Sequence, residues 1–100
     1  MSEATEDPSW SVYMLRCAGG ELYTGIALDV QRRFEEHASG RGARFTRGRG
    51  PLELVLSHEV GERGLALRLE HAIKRLPRAR KEKLGPGEVR RLIRELVEEA

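Results

Sequence analysis

The sequence predicts a small α/β domain of the α+β type, with a three-stranded, at least partly antiparallel sheet flanked by helices. Two apolar stretches joined by a glycine pair indicate a hairpin, and a third stretch with alternating apolar residues indicates another strand. The segments between and after these strands carry apolar residues at helical spacing. The predicted order is β-β-α-β-α-α-α. The length suits a single core, so we expect one domain over residues 9–98 after a flexible polar tail at 1–8.

The first strand is predicted at Trp10 to Ala18, which is rich in aromatic and apolar residues and lacks both Gly and Pro. Gly19-Gly20 then marks a turn, and Glu21 to Ala27 forms the return strand. Alternation places Val12 and Met14 on one face of the first strand. The other face carries apolar residues as well, so we expect this strand to be central and covered on both sides.

The sequence leaves two registers open for this hairpin. A two-residue turn pairs Leu15 with Thr24 and sends Tyr13 and Tyr23 to opposite faces of the sheet. A three-residue loop, Ala18 to Gly20, pairs Leu15 with Tyr23 and brings both tyrosines to one face.

A helix is predicted from Val30 to about Ser39, with Asp29 as its N-cap and a glycine at its end. Arg33 and His37 lie four residues apart and therefore stack on one face. The predicted buried stripe of this helix lies on the adjacent face and consists of Val30, Phe34 and Ala38.

The third strand is predicted at Leu52 to Val60, with Leu52, Leu54 and Leu56 on one face. Apolar residues from Leu65 to Leu76 then follow the period of an amphipathic helix. A short basic helix follows a proline, and the last helix carries an apolar stripe from Val89 to Val97.

The charge pattern is more informative than the net charge of +2. Arg41 to Arg49 contains four arginines and no acid, and Lys74 to Lys83 contains six basic residues and one acid. We therefore expect one basic face that suits a polyanion. Cys17 is the only cysteine, which excludes an internal disulfide and a multi-cysteine zinc site. No apolar run approaches the ~20 residues of a membrane span, and the acidic N-terminus does not resemble a signal peptide, so we expect a cytoplasmic protein.

Several residue types suited to phosphodiester chemistry occur in order along the chain. Singly, each has an ordinary explanation. A strand tyrosine such as Tyr13 usually belongs to the core, Arg33 and His37 suit a solvated helix face, and Glu70 can pair with Lys74 one turn later. As a set they are more specific; the ordered candidates are Tyr13, Tyr23, Gly25, Arg33, His37 and Glu70.

This set resembles the paired motif of the GIY-YIG nuclease superfamily. Val12-Tyr13-Met14 takes the place of the first motif, and Tyr23-Thr24-Gly25 takes the place of the second. The chain departs from the family pattern at Ser11-Val12, where Gly-Ile is usual, and at Thr24, where Ile is usual. It is most similar to the small stand-alone bacterial members, and it also resembles the nuclease half of Slx-type structure-specific endonucleases, without their zinc-binding half.

The resemblance implies a metal-dependent DNA endonuclease with Glu70 holding a single Mg²⁺ or Mn²⁺ ion. It implies that Tyr13 deprotonates or orients the attacking water, and that Tyr23 orients the phosphate. A free phenol has a pKa near ~10, so we expect a cation, Arg33, to lower the pKa of Tyr13. The guanidinium of Arg33 is also suited to grip phosphate, and His37 to move a proton or donate a hydrogen bond.

Gly25 is interpreted as a turn residue that lets the backbone approach the start of the helix, where amide groups favour an anion. The basic residues supply candidate contacts to the DNA backbone. These candidates are Arg32, Arg41, Arg44, Arg47, Arg49 and Lys74.

Two other functions remain open at this level. A domain of the same fold that has lost turnover would bind nucleic acid through the glycine- and arginine-rich loop from Gly40 to Pro51, the arginine loop, without cutting it. An interaction domain would instead dock onto a DNA-processing complex through the apolar stripe of the last helix, Val89 to Val97. A single small basic loop offers little surface for reading base edges, so we expect structure-selective or weakly selective cleavage in DNA repair or processing.

Overall fold

The computed structural model describes residues 8–99, so the predicted tail lies outside the described residues except for Pro8. The elements follow the predicted order. They are β1 (Trp10–Arg16), β2 (Leu22–Ala27), α1 (Val30–Ala38), β3 (Glu53–Gly61), α2 (Arg63–Lys74), α3 (Arg78–Glu82) and α4 (Pro86–Glu99). A single 3-10 turn at Arg44–Thr46, which the sequence did not predict, interrupts the arginine loop. Across residues 8–99, none of the helices is both long and apolar enough to cross a bilayer.

The three strands form one sheet in the order β2-β1-β3, with both pairs antiparallel, which confirms the predicted architecture. The hairpin adopts the three-residue loop: Leu15 lies opposite Tyr23, and Tyr13 lies opposite Gly25. Gly20 has a φ of +94°, the left-handed conformation that this loop requires and that glycine adopts without strain. Both tyrosines therefore lie on the same face of the sheet.

The prediction that Leu56 shares a face of β3 with Leu52 and Leu54 was wrong. Met14 pairs with Leu56 and Leu15 pairs with Leu54, so Val55 is left without a partner in β1 and forms a bulge. Beyond the bulge the alternation reverses, and Leu56 packs on the face opposite Leu54. Simple alternation of apolar residues cannot show where an extra residue enters a strand.

Each face of the sheet carries its own apolar cluster. Val12 and Met14 pack under α2 and α4, against the fully buried residues Leu69, Ile73 and Val89. Such buried aliphatic side chains contribute about 1.5–3 kcal/mol each to folding. The opposite face is covered by α1; its cluster consists of Tyr13, Leu15 and Ala27 with Tyr23, Val30, Phe34, Leu52 and Leu54.

The apolar stripe of α4, considered above as a possible docking surface, packs on this core over most of its length. Val89 is fully buried, and Leu92, Ile93 and Leu96 pack against the same cluster. Only Val97 remains 54% exposed. The stripe is thus occupied by the protein itself.

Helix α1 begins as predicted, because the Asp29 side chain accepts a hydrogen bond from the backbone N–H of Arg32 at 3.0 Å. Its predicted buried stripe was wrong at one end, since Ala38 is exposed. His37 is buried in its place, with 2% of its surface exposed. Helix α1 therefore directs an imidazole, rather than a methyl group, into the face of the sheet that carries the tyrosines.

Candidate active site

A buried pair of titratable side chains, Tyr13 and His37, lies at the centre of the site. The Tyr13 hydroxyl oxygen is 2.8 Å from Nε2 of His37. Both residues are at most 2% exposed. Strand β1 places the phenol in the middle of the sheet, and α1, which packs on this face, places the imidazole against it. The two residues are 24 positions apart in the chain, so tertiary packing sets the contact between them.

Two glycines make room for this pair. Gly25 lies opposite Tyr13, and a Cβ atom there would be 2.6 Å from the Tyr13 hydroxyl oxygen. A Cβ atom on Gly42, in the arginine loop, would be 2.3 Å from Nδ1 of His37. Gly25 lies within β2 and has no positive φ, so its interpretation as a turn residue was wrong. Glycine is needed at this position because a side chain would clash with the Tyr13 hydroxyl.

The other ring nitrogen of His37 faces the 3-10 turn. Its Nδ1 atom is 2.9 Å from Oγ1 of Thr46 and 3.3 Å from the backbone N of Ala43. The Thr46 hydroxyl donates to the carbonyl oxygen of Ala43 at 2.9 Å. Thr46 is 2% exposed and was missed at the sequence level. The available signal was that Thr46 is the only hydroxyl residue in the loop from Gly40 to Pro51.

Tyr23 joins the pair from the neighbouring strand and extends it toward the surface. Its ring centroid is 6.3 Å from that of Tyr13 and 5.2 Å from that of His37. On its other side Tyr23 stacks with Phe45, with centroids 5.8 Å apart and an interplanar angle of 29°. Phe45, also missed at the sequence level, is 40% exposed, and the Arg49 guanidinium lies 4.6 Å from its ring centroid.

The electrostatics of Tyr13 differ from the expectation. Burial, with the neighbouring Tyr23 adding to it, raises the pKa of Tyr13 to about 12. Arg33 does act on Tyr13 in the predicted direction, through its charge and a hydrogen bond, but burial outweighs it. The expectation that Arg33 lowers the pKa of Tyr13 below that of a free phenol was therefore wrong.

The pKa of His37 moves the other way. Burial lowers it, the positive charge of Arg33 lowers it further, and the carboxylate of Glu36 opposes both. The Arg33 guanidinium donates to Glu36 at 2.8 Å, and its side chain is 37% exposed. The arrangement therefore favours a neutral imidazole beside a neutral phenol, with a guanidinium accessible from solvent next to them.

Glu70 lies on α2 at the edge of this cluster. Its charge adds to the raised pKa of Tyr13, and its side chain is only 13% exposed. It pairs with Lys74 at 3.0 Å, one helical turn away, and the Lys74 ammonium lies 5.9 Å from the ring centroid of Tyr23. The ordinary ion pair expected for Glu70 is thus present, and it lies beside the tyrosines.

The donor set around Glu70 restricts which metal fits. Within residues 8–99 there is no group of three or more His, Cys, Asp or Glu side chains arranged to hold a metal ion. A structural zinc site needs such a group, whereas Mg²⁺ and Mn²⁺ bind to one or two carboxylates with water and substrate oxygens completing the shell. The residues present therefore fit a single hard divalent ion on Glu70.

The candidate DNA-contacting residues fall into different environments. Arg44 and Arg47 are exposed on the arginine loop. Arg49 pairs with Glu21 at 2.8 Å, and its carbonyl accepts a hydrogen bond from the N–H of Ala18, so it joins this loop to the hairpin. Arg32 and Arg41 line one shallow cleft together with Glu35 and Glu36. This cleft is less favourable for phosphate, because the two carboxylates repel an anion.

Comparison with known proteins gives consistent matches. The family model described as the GIY-YIG catalytic domain matches residues 9–83. A UPF0213 protein of Klebsiella pneumoniae is 53% identical over 79 residues, which cover 79% of this chain and 74% of that protein. The UPF0213 protein YhbQ of Escherichia coli K12 is 51% identical over 75 residues, covering 75% of each. The solution structure of a UPF0213 protein from Bacillus halodurans is 44% identical, with a TM-score of 0.50, and the match covers 81% of this chain and 92% of that one.

Proposed function

Because this chain belongs to the GIY-YIG nuclease family, we propose that it is a divalent-metal-dependent endonuclease that hydrolyses DNA phosphodiester bonds in DNA repair or processing. The observation that carries the proposal is the 2.8 Å contact between the Tyr13 hydroxyl and Nε2 of His37. It joins the hydroxyl that we propose to act on the attacking water to a ring nitrogen that we propose to accept a proton. Arg33 and Glu70 act electrostatically on the same hydroxyl, as a site for a phosphate and a cation requires.

Tyr13 and His37 are proposed to work as one unit. With a pKa of about 12, only about one Tyr13 side chain in 10⁵ is ionised at pH 7, so a preformed phenolate is not an effective base. A concerted transfer avoids that state. The attacking water gives a proton to the Tyr13 oxygen while the Tyr13 proton passes to Nε2 of His37, which is kept neutral by its lowered pKa.

Arg33 and Tyr23 are proposed to position the phosphate. The Glu36 carboxylate holds one arm of the Arg33 guanidinium, which directs the remaining N–H donors without occupying them all. A planar fork of this kind grips two phosphoryl oxygens at once and offsets the charge that develops during hydrolysis. Tyr23 lies against both rings of the central pair and supplies a hydroxyl at the outer side of the site.

Glu70 is the residue proposed to hold the metal. When bound, Mg²⁺ or Mn²⁺ would neutralise phosphate charge and polarise the scissile group. The pairing of Glu70 with Lys74 does not oppose this role, because Lys74 is a long side chain that is 48% exposed and can turn toward the DNA backbone. In this way Lys74 keeps the carboxylate compensated in the free protein and becomes a phosphate contact in the complex.

The surface around the site favours DNA with unpaired bases. Phe45 presents an exposed ring stacked on Tyr23, and Arg49 lies beside it. Proteins that bind single strands combine aromatic platforms with a basic groove, because every base has a face that can stack. A base inside a duplex has no free face to offer. We therefore propose structure-selective cleavage, with the arginine loop contacting the backbone.

Cleavage of plasmid and branched DNA in Mg²⁺ or Mn²⁺ tests the proposal. Arg33→Ala and Glu70→Ala should each lower the rate by about 10² or more, as expected for loss of transition-state stabilisation. Arg94→Ala and Glu53→Ala remove the same charges from exposed positions on α4 and β3, and should cleave like the wild type. Equal rates in all five proteins would assign the cleavage to a contaminant. Salt-sensitive DNA binding with no cleavage in either metal would instead support the binding module.

We also propose a cytoplasmic location. A buried cysteine without a disulfide suits a reducing compartment, and bacterial DNA is found there.

A further inference from the structure

We propose that Arg49 gates the stacking surface of Phe45 and so makes the site selective for DNA with unpaired bases. In the free protein Glu21 holds the Arg49 guanidinium over the Phe45 ring. When DNA binds, an unpaired base takes the place of the guanidinium, which then turns to a phosphate. The inference rests on the function proposed above and concerns how the same site selects its substrate.

The Phe45 ring already carries a flat cationic group in the free protein. The Arg49 guanidinium carbon lies 4.6 Å from the ring centroid, and Tyr23 stacks on the same ring with centroids 5.8 Å apart. A guanidinium is planar and stacks on aromatic faces, so it occupies a position over the ring that a base would take. Tyr23 cannot give way in its place, because its own ring packs against Tyr13 and His37. A base can therefore stack at this position only after the guanidinium has moved.

Glu21 holds the guanidinium in this position through a single hydrogen bond. Nη1 of Arg49 donates to Oε2 of Glu21 at 2.8 Å. The second carboxylate oxygen, Oε1, is buried and has no hydrogen-bond partner among residues 8–99, so the pair lacks the second bond of a bidentate arrangement. The side chains are 42% exposed for Arg49 and 38% exposed for Glu21. Ion pairs as exposed as this one are weak, so the contact can open.

The backbone of Arg49 is fixed, so its side chain can move while the loop stays in place. The Arg49 carbonyl accepts a hydrogen bond from the N–H of Ala18 at 2.8 Å, and the Arg49 N–H donates to the carbonyl of Thr46 at 3.2 Å. Opening therefore requires only rotation of a long, flexible side chain. The released guanidinium keeps its full charge and its planar set of donors, which suit a phosphate of the same strand.

The exchange favours an unpaired base over a paired one. Stacking of one base on an aromatic side chain raises affinity about 5- to 150-fold. An exposed ion pair and an exposed cation–π contact are each worth at most about fivefold, so stacking can offset the loss of both. A base inside a duplex is already stacked on its neighbours and has no free face to exchange for the guanidinium. Duplex DNA therefore leaves Arg49 over the ring.

NMR reads the position of the guanidinium directly in the full chain. The chain has two phenylalanines, and Phe45→Leu identifies which ring signals belong to Phe45. Without divalent metal, so that the DNA stays intact, we expect nuclear Overhauser contacts between the Phe45 ring and the Arg49 side chain in the free protein. An oligothymidylate of about eight nucleotides, within the usual site size of single-strand binders, should replace them with contacts between the Phe45 ring and a base. A fully paired duplex should leave them in place. Contacts retained in protein saturated with the single strand, or lost equally with the duplex, would overturn the gate.

Glu21→Ala tests the role of Glu21 as the positioning residue of the gate. Removing the carboxylate lowers the cost of uncovering the ring, so single-strand affinity should rise about two- to fivefold more than duplex affinity. Glu53→Ala removes the same charge from an exposed position at the start of β3 and should change the affinity for both DNA forms equally. Amide spectra that match the wild type show that each variant is folded. An equal gain on both DNA forms in Glu21→Ala would reduce its effect to charge, and a weaker single-strand complex would show that Glu21 holds Arg49 in its DNA-binding position; either result would overturn the gate.

The gate and the nuclease proposal can fail separately. If the single strand displaces Arg49 from Phe45 but no DNA is cleaved in Mg²⁺ or Mn²⁺, the proposed hydrolysis fails and the gate stands as a device of a binding module. If DNA is cleaved while Arg49 stays over the ring in the single-strand complex, the gate fails and the proposed hydrolysis stands. A protein that binds neither DNA form would overturn both.

Discussion

Gly42→Ala is the substitution whose effect follows most directly from the geometry of the site. An added Cβ would lie 2.3 Å from Nδ1, 2.7 Å from Cγ and 2.8 Å from Cα of His37. The last atom belongs to the backbone of α1, so a side-chain rotation alone cannot relieve the contact. Gly42 has no positive φ, which means that alanine would be acceptable there but for this contact.

The cost follows from how the neighbours can respond. Overpacking a tight site costs about 1–3 kcal/mol, and for a domain of this size each 1 kcal/mol lowers the Tm by about 4–8 °C. If the loop yields, the Ala43 and Thr46 contacts to His37 are lost. If the ring yields, the 2.8 Å contact to Tyr13 is lost. Either displacement, even of ~1 Å, should lower the rate of DNA cleavage by about 10².

Thermal unfolding and single-turnover cleavage measure the two effects on the same preparation. Gly64→Ala is the matched control: Gly64 lies in α2, and its added Cβ would meet nothing closer than Glu62 Oε1 at 3.8 Å. Alanine there should keep the cleavage rate and change stability by no more than about 1 kcal/mol, in the stabilising direction. A Gly42→Ala protein with the Tm and rate of the wild type would show that the loop does not pack on His37 as described.

Three further predictions concern charge and stacking. Burial lowers the pKa of His37, so between that lowered pKa and the ordinary value near ~6.5 the unfolded chain binds more protons than the folded protein, and the free energy of unfolding rises with pH. Denaturant unfolding should show this rise in the wild type and not in His37→Gln. Equal slopes of unfolding free energy against pH in the two proteins would contradict the prediction. Arg47→Ala should reduce the slope of log K for DNA binding against log salt by about 1, with no change in Arg94→Ala, whereas an unchanged slope would remove Arg47 from the interface. Phe45→Ala should weaken binding of single-stranded DNA by about 1–3 kcal/mol, with little effect on duplex and none from Val97→Ala; an equal loss on both DNA forms would exclude base stacking.

The sequence was sufficient for the parts of the fold that depend on local periodicity. Strand alternation placed Val12 and Met14 on one face, and helical spacing placed Arg33 beside His37. The hairpin register was left open because both turns suit a glycine pair. In the structure Gly20 adopts a left-handed conformation, and the N–H of Ala18 donates to the carbonyl of Arg49. The second contact comes from a distant loop and leaves no signal in the hairpin sequence.

The errors share a cause, which is that close approaches between distant segments leave no local pattern. Gly25 resembles a turn residue in the sequence, but it is a glycine because the Tyr13 hydroxyl from the next strand occupies the space of its Cβ. His37 was placed on the face of α1 adjacent to the predicted buried stripe, but the arginine loop folds back through Gly42 and His37 is buried. The bulge at Val55 and the bond to Thr46 are likewise products of tertiary packing.

Single-turnover cleavage by Tyr13→Phe tests the central claim most directly, because it removes one oxygen atom from the middle of the site and leaves the ring in the core. The account predicts a loss of about 10²–10⁴ in rate, the usual contribution of a positioned proton-transfer group, with DNA binding retained. Cleavage by Tyr13→Phe at the rate of the wild type, in protein that is folded and binds the same DNA, would contradict it.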